Sequence, residues 1–221
     1  MVNKNKQFDK VAEEYDFVNE LFDNNDFFIL NMSSQRGRAL DIGCGSGILA
    51  NELSKHYKQV VGIDISDKML EIAQAKRQNS NIGYVKMDAN TMHFDAKFDF
   101  IVSRTIFHHL EDVPRVLNKA KELLASSGKI VILDNVSKVE TPSRWVYIIG
   151  AFQEFVPNCI KYGIKTAIRV FSHRTSKYWL EHLASDKYLS EQTYYEVYRQ
   201  YLPNCIFIKE GCFMGIIWEN K

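Results

Sequence analysis

A mostly parallel α/β sheet with an antiparallel strand at or near one edge is the fold class this sequence predicts, and three observations carry it. From Arg38 onward, short apolar runs alternate with amphipathic segments, which implies βαβ units and a parallel sheet. A glycine-rich turn closes the first of those runs. The last two runs, near Cys205–Ile208 and Phe213–Trp218, are linked by only a few residues around Gly211. So short a link permits only an antiparallel pair.

Taken in order, the first 30 residues read as helix. Phe8, Val11, Ala12 and Tyr15 recur at helical spacing, and an aromatic-rich stretch follows from Phe17 to Leu30. Strands are expected at Ala39–Ile42, Val60–Ile65, Ile82–Met87, Phe98–Ser103 and Lys129–Leu133. Helices near Ile48–Tyr57, Lys68–Arg77 and Val113–Leu124 separate them. For the last of these, Asp112 can cap the start, Pro114 suits the first turn and Ser127-Gly128 ends it.

A long helical insertion lies between Val136 and Pro203. Trp145, Ile148, Ile149, Phe152, Phe155 and Val156 make one stripe, and Ile160, Ile164, Ile168 and Phe171 another. It is too large for a connection and reads as a cap over the sheet. No acid occurs between Glu154 and Glu181, whereas Lys161, Lys165, Arg169, Arg174 and Lys177 are basic. Lys161, Lys165 and Arg169 fall four apart, on one helical stripe. That stripe is either a solvated face or a contact for an anionic ligand, a membrane surface or RNA. The organisation expected is one domain over 1–221, divided into a helical segment (1–35), a βαβ core (36–136), the cap (137–203) and a terminal hairpin (204–221).

Composition narrows the functional classes. Hydrophobic residues are 46% and charged residues 25% of 221, enough for a real core. Lys and Arg number 28 against 27 Asp and Glu, a balance that argues against nucleic-acid binding. Met1–Lys10 is polar and lacks the apolar stretch of a signal peptide. No apolar run reaches the roughly 20 residues a membrane span needs. Cys44, Cys159, Cys205 and Cys212 form no CxxC pair and have no His at zinc spacing. They read as reduced thiols of a cytoplasmic protein, with no metal site expected.

The chemistry concentrates at strand ends. Leu40-Asp41-Ile42-Gly43-Cys44-Gly45-Ser46-Gly47-Ile48 ends a buried strand and opens a helix. Glycines belong where backbone turns tightly and a ligand approaches closely, and the helix start adds amide donors. A dinucleotide fingerprint requires G-x-G-x-x-G, but Ile48 stands three after Gly45. Asp41 would repel phosphate oxygens and suits an ammonium group instead. Asp64 ends the next strand, where an acid can accept hydrogen bonds from ribose hydroxyls. Asp88-Ala89 ends the third and is placed to meet an adenine amino group; Asp88 could equally cap the turn after it. Ser103 ends the fourth and is followed by Arg104 to Leu110, which includes His108 and His109.

ALDIGCGSG, VVGIDIS, KMDA, FDFIVS with HHL, and LLASSGKIVI, in this order, resemble the motifs of the class I S-adenosylmethionine methyltransferases, in particular the type 11 small-molecule group. FDKVAEEYD (Phe8 to Asp16) is similar to a segment that often opens that group. The resemblance covers roughly residues 8–135. It implies a Rossmann-like, doubly wound, seven-stranded sheet with an antiparallel last strand, here with an inserted helical cap. It assigns donor binding to Tyr15, Asp41, Gly43, Gly45, Asp64, Asp88, Ala89 and Ser103, and the adjoining Cys44, Ile65 and Met69 join that set. For Cys44, backbone contact is expected rather than thiol chemistry. His108 is the candidate general base for an alcohol or phenol. In the family, a His-His-Leu segment also serves as a wall of the donor pocket.

The implied reaction is in-line displacement of the methyl group onto a small-molecule acceptor, giving S-adenosylhomocysteine. Trp145, Phe152, Phe155, Trp179, Tyr194, Tyr195, Tyr198 and Tyr201 suggest that residues 137–200 form the acceptor pocket. That pocket suits an apolar or aromatic body, with Lys161, Lys165 or Arg169 for an anionic group. The expected state is a monomer or homodimer without nucleic acid or membrane span. An RNA or protein methyltransferase, a donor-binding protein without catalysis, and a nicotinamide dehydrogenase are the rivals.

Overall fold

In the computed structural model the described residues are 9–22 and 24–220; Phe8, expected in the first helix, lies outside them. The chain divides into two compact units: Met1–Asp23 with Val139–Lys187, and Asn24–Lys138 with Tyr188–Lys221. The expected divisions at 35, 136 and 203 therefore shift, and the helix 191–201 joins the sheet rather than the cap.

The larger unit holds α2 (Asp26–Leu30), β1 (Arg38–Ile42), α3 (Ile48–Ser54), β2 (Gln59–Asp64), α4 (Asp67–Arg77) and β3 (Ile82–Lys86). It continues with β4 (Phe98–Arg104), a single 3₁₀ turn (Phe107–His109), α5 (Val113–Leu123), β5 (Leu124–Asn135), α9 (Glu191–Tyr201), β6 (Ile206–Glu210) and β7 (Phe213–Glu219). The sheet order is β3-β2-β1-β4-β5-β7-β6. β1 to β5 pair in parallel, and β7 runs antiparallel between β5 and β6. This is the Rossmann-like arrangement expected, with the reversal of strand order falling between β1 and β4.

Alternation of side chains fills both faces. Leu40 and Ile42 join Ile63, Ile101 and Ile132 in one buried cluster, while Ala39 joins Val60, Val102 and Val131 in the other, under Leu49, Ala50 and Leu53 of α3. Asp41 follows Ala39 by two and so points toward the α3 face. Capping matches local chemistry: Asp112 accepts from the Arg115 N–H at the start of α5, and Ser66 from the Met69 N–H at the start of α4.

Two local features of the larger unit stand out. Helix α5 stops at Leu123 and β5 begins at once, so Ser127 (φ 59°) and Gly128 lie in an irregular stretch of strand and not at a helix end. Of the aromatic set expected to be shared between core and pocket, Tyr194 and Tyr198 are buried in the sheet core, where the Tyr194 hydroxyl donates to the Met214 carbonyl at 2.9 Å. Their spacing of four puts both on the face of α9 that covers the sheet, so the tyrosine run serves packing.

The smaller unit contains α1 (Ala12–Phe22), α6 (Arg144–Tyr162), α7 (Ile164–Arg174) and α8 (Lys177–Leu183). Gly163 (φ 83°, ψ 157°) stands between α6 and α7. It breaks the single stripes expected for Ile160–Phe171 and Lys161–Arg169: Ile160 and Lys161 ride on α6, the rest on α7. Phe152 and Phe155 pack edge-on against Phe171 at 4.9 and 5.5 Å, so the helices fold back as a hairpin. Arg169 pairs with Glu14 at 2.8 Å and lies over the Phe17 ring, which ties α1 to α7. No helix of the described residues is long and apolar enough to cross a membrane.

Candidate active site

The carboxyl ends of the parallel strands carry the residues singled out by spacing, where an open α/β sheet binds ligands beside its switch of strand order. After β1 the chain turns through Gly43 (φ 72°), Gly45 (φ 52°) and Gly47 (φ 82°), three left-handed positions. A Cβ on Gly43 would stand 2.6 Å from Ile106, and one on Gly47 2.4 Å from the Tyr84 hydroxyl. At Gly45 nothing lies within 4 Å of that point, so the open side of the turn is there. The Gly43 and Cys44 N–H groups donate to the Ile63 carbonyl at 2.8 and 2.9 Å, which fastens the turn to β2.

Asp64 completes the turn. Its Oδ2 accepts from the Gly45 N–H and its Oδ1 from the Ser66 N–H, both at 2.9 Å. Burial nevertheless raises its carboxyl above the ordinary range, opposed by these amides and by His109. Asp41 is 1% exposed. Desolvation, then the charge of Asp64, lifts it to about 7, against the pull of Arg104 and the Ala50 N–H at the start of α3. One of its oxygens, Oδ2, is buried without a hydrogen-bond partner among the described residues. An orphaned buried carboxylate oxygen is costly, and a cationic or N–H-bearing ligand would relieve it.

The other expected residues fall into distinct surroundings. Cys44 is buried, and desolvation drives its thiol well above the normal range, so it is no nucleophile. Ile65 is exposed just past Asp64, whereas Met69 is fully buried as core. The Ser103 hydroxyl donates to the Ile42 carbonyl at 2.9 Å, cross-linking β4 to β1. Asp88 is exposed and its Oδ1 accepts from the Asn90 backbone and side-chain amides at 2.8 and 2.9 Å, the local capping role left open above. Ala89 is buried in the core. Tyr15 belongs to the smaller unit, its ring 5.4 Å from that of Trp179.

His108 acquires a partner that spacing did not reveal. Asp134, the penultimate residue of β5, is buried and lies 2.5 Å from His108 Nδ1 through Oδ1. Its Oδ2 accepts from the His108 backbone N–H at 2.9 Å, so one carboxylate grips both ring and main chain. The signal was an acid at a strand's carboxyl end, as at Asp41 and Asp64, but the strand expected over Lys129–Leu133 stopped one residue short of it. Rings of Tyr188 and His109 flank the imidazole at 5.0 and 4.0 Å. A carboxylate on Nδ1 selects the tautomer whose lone pair is on Nε2, the arrangement of an oriented general base.

Residues 40–132 match the type 11 family described as "Methyltransferase domain". The ubiquinone biosynthesis O-methyltransferase of Coxiella burnetii is 34% identical over 94 residues, 41% of this chain and 40% of that protein. The chain thus spans about two fifths to a little over half of the length of the curated relatives it matches. Among solved structures, the methyltransferase bound to the Trm112 activator of Haloferax volcanii superposes with TM-score 0.67 at 15% identity, over 97% of this chain and 96% of that one. The N-methyltransferase NodS of Bradyrhizobium japonicum, solved with S-adenosylhomocysteine, gives 0.57 at 15%, over 89% and 84%.

Proposed function

We propose that this chain, a class I methyltransferase of the type 11 group by its match over residues 40–132, transfers the methyl group of S-adenosylmethionine to a hydroxyl oxygen of a small molecule. The observation that carries the reading is the pair of carboxylates around the glycine turn, buried Asp41 and half-buried Asp64. The orphaned Asp41 Oδ2 offers a place for the donor's ammonium group. Asp64 is held by two backbone amides and still has acceptor capacity for a ribose hydroxyl. The open side of Gly45 gives the donor's methionine end room against the backbone.

The bound donor supplies an electrophilic methyl group on a sulfonium. The chain's own residues orient the reactants and move one proton. His108 Nε2, held in its tautomer by Asp134, takes the proton of the acceptor hydroxyl as that oxygen takes the methyl. The choice of oxygen rests on this dyad, since an amine or thiol acceptor needs no such base. It is supported by the O-methyltransferase among the relatives. The near-neutral charge of +1 supports a small acceptor over RNA.

The test is transfer of label from methyl-labelled donor by the full chain, with phenols, alcohols, amines and RNA offered separately. Methyl ethers are the expected products. Label only on amines or only on RNA would overturn the acceptor assignment, and donor never consumed with any acceptor would overturn catalysis.

A further inference from the structure

The helix hairpin of the smaller unit turns an apolar face to solvent. On α6, Trp145, Ile149, Phe152, Val156 and Ile160 recur every three or four residues, and each is more than half exposed, Ile160 at 83%. Ile164 and Ile168 continue the exposed set on α7, just across Gly163. In an ordinary surface helix the apolar stripe is the buried one; here α6 buries only Ala151 and Asn158. Seven large exposed side chains in one hairpin exceed the scatter of single apolar residues that surfaces normally carry.

Charge says what covers this face. The segment 155–180 contains no acid, and Lys161 and Lys165, both exposed, directly follow Ile160 and Ile164 in the chain at the hairpin's turn. A second copy docked through the same face would bury these lysines in a contact to which the segment brings no carboxylate to pair them, because a two-fold contact joins the same patch of both copies. An anionic lipid surface answers both features at once. Acyl chains receive the Trp, Phe and Ile side chains, and headgroup phosphates meet the ammonium groups.

We propose that the face of the α6–α7 hairpin, from Trp145 through Ile168, docks in the plane of an anionic lipid bilayer. This stands apart from the methyl-transfer reading, since it requires neither donor nor acceptor. The test is co-sedimentation of the full chain with vesicles of mixed phosphatidylglycerol and phosphatidylcholine, against phosphatidylcholine alone. The chain should partition to the anionic vesicles and be released by salt. Ile160→Glu, at a position that contacts mostly solvent, and the pair Lys161→Glu with Lys165→Glu should each lower partitioning by about tenfold or more, with circular dichroism unchanged. Failure to bind either vesicle overturns the proposal, as does equal binding to both that the lysine reversals leave intact. A gel-filtration dimer that Ile160→Glu converts to monomer, without vesicle binding, would assign the face to a second copy instead.

Discussion

Asn in place of Asp41 separates what this carboxyl costs the fold from the donor contact proposed for it. Its value of about 7, against the ordinary 3.8, means that the folded protein holds the proton more tightly than the unfolded chain. Its effect on stability is therefore most favourable below about 3.8 and is lost as pH rises to about 7, after which it is flat. Three units correspond to a cost of about 4 kcal/mol above neutrality as a ceiling, at about 1.4 kcal/mol per unit. The neutral, isosteric Asn escapes that cost but puts an amide group where the orphaned oxygen stood, and burying it without a partner costs about 1–3 kcal/mol in return. That second term does not change with pH, so the pH dependence isolates the first. Urea denaturation at about pH 5 and about pH 8 should show the variant gaining on the parent by about 2–3 kcal/mol across the interval. Calorimetry should show its affinity for S-adenosylhomocysteine reduced, and the parent's affinity rising with pH through about 7. Parallel pH profiles for the two proteins would refute the account of a buried, strained carboxyl.

Asp64→Ala removes an acceptor fixed by two amides and should weaken donor binding by about 2–3 kcal/mol, read by the same calorimetry. His108→Ala should lower kcat about a hundred- to ten-thousandfold while donor affinity holds; a rate within twofold of the parent would remove the imidazole from the chemistry. Asp134→Asn should also lower kcat and move the pH–rate profile, because the carboxylate that sets the His108 tautomer is gone. Gly47→Ala forces a Cβ to 2.4 Å from the Tyr84 hydroxyl at φ 82° and should lower the urea midpoint by an amount equivalent to about 1–3 kcal/mol.

How far the sequence could be read depended on whether the cause was local. The glycine turn, Asp64 and the Asp112 and Pro114 helix start are set by neighbours in the chain, and the sheet followed from the alternation of runs. Which of the tyrosines are core, as Tyr194 and Tyr198 are, was not legible, because an aromatic stripe has the same spacing whether it lines a cavity or covers a sheet. Lys161 and Arg169 were separated by one residue, Gly163, whose left-handed φ ends α6 where spacing alone would continue it. The His108–Asp134 contact joins residues 26 apart. Only the parallel pairing of β4 with β5 brings them together, and that register is not written in either segment alone.

The central claim is that the glycine turn with Asp41 and Asp64 binds S-adenosylmethionine and not a dinucleotide. Isothermal titration of the full chain with S-adenosylhomocysteine and, separately, with NAD tests it most directly. The account predicts saturable one-to-one binding of S-adenosylhomocysteine that Asp64→Ala weakens, and no heat of binding from NAD. Saturable binding of NAD with none of S-adenosylhomocysteine, or unchanged affinity in Asp64→Ala, would contradict it.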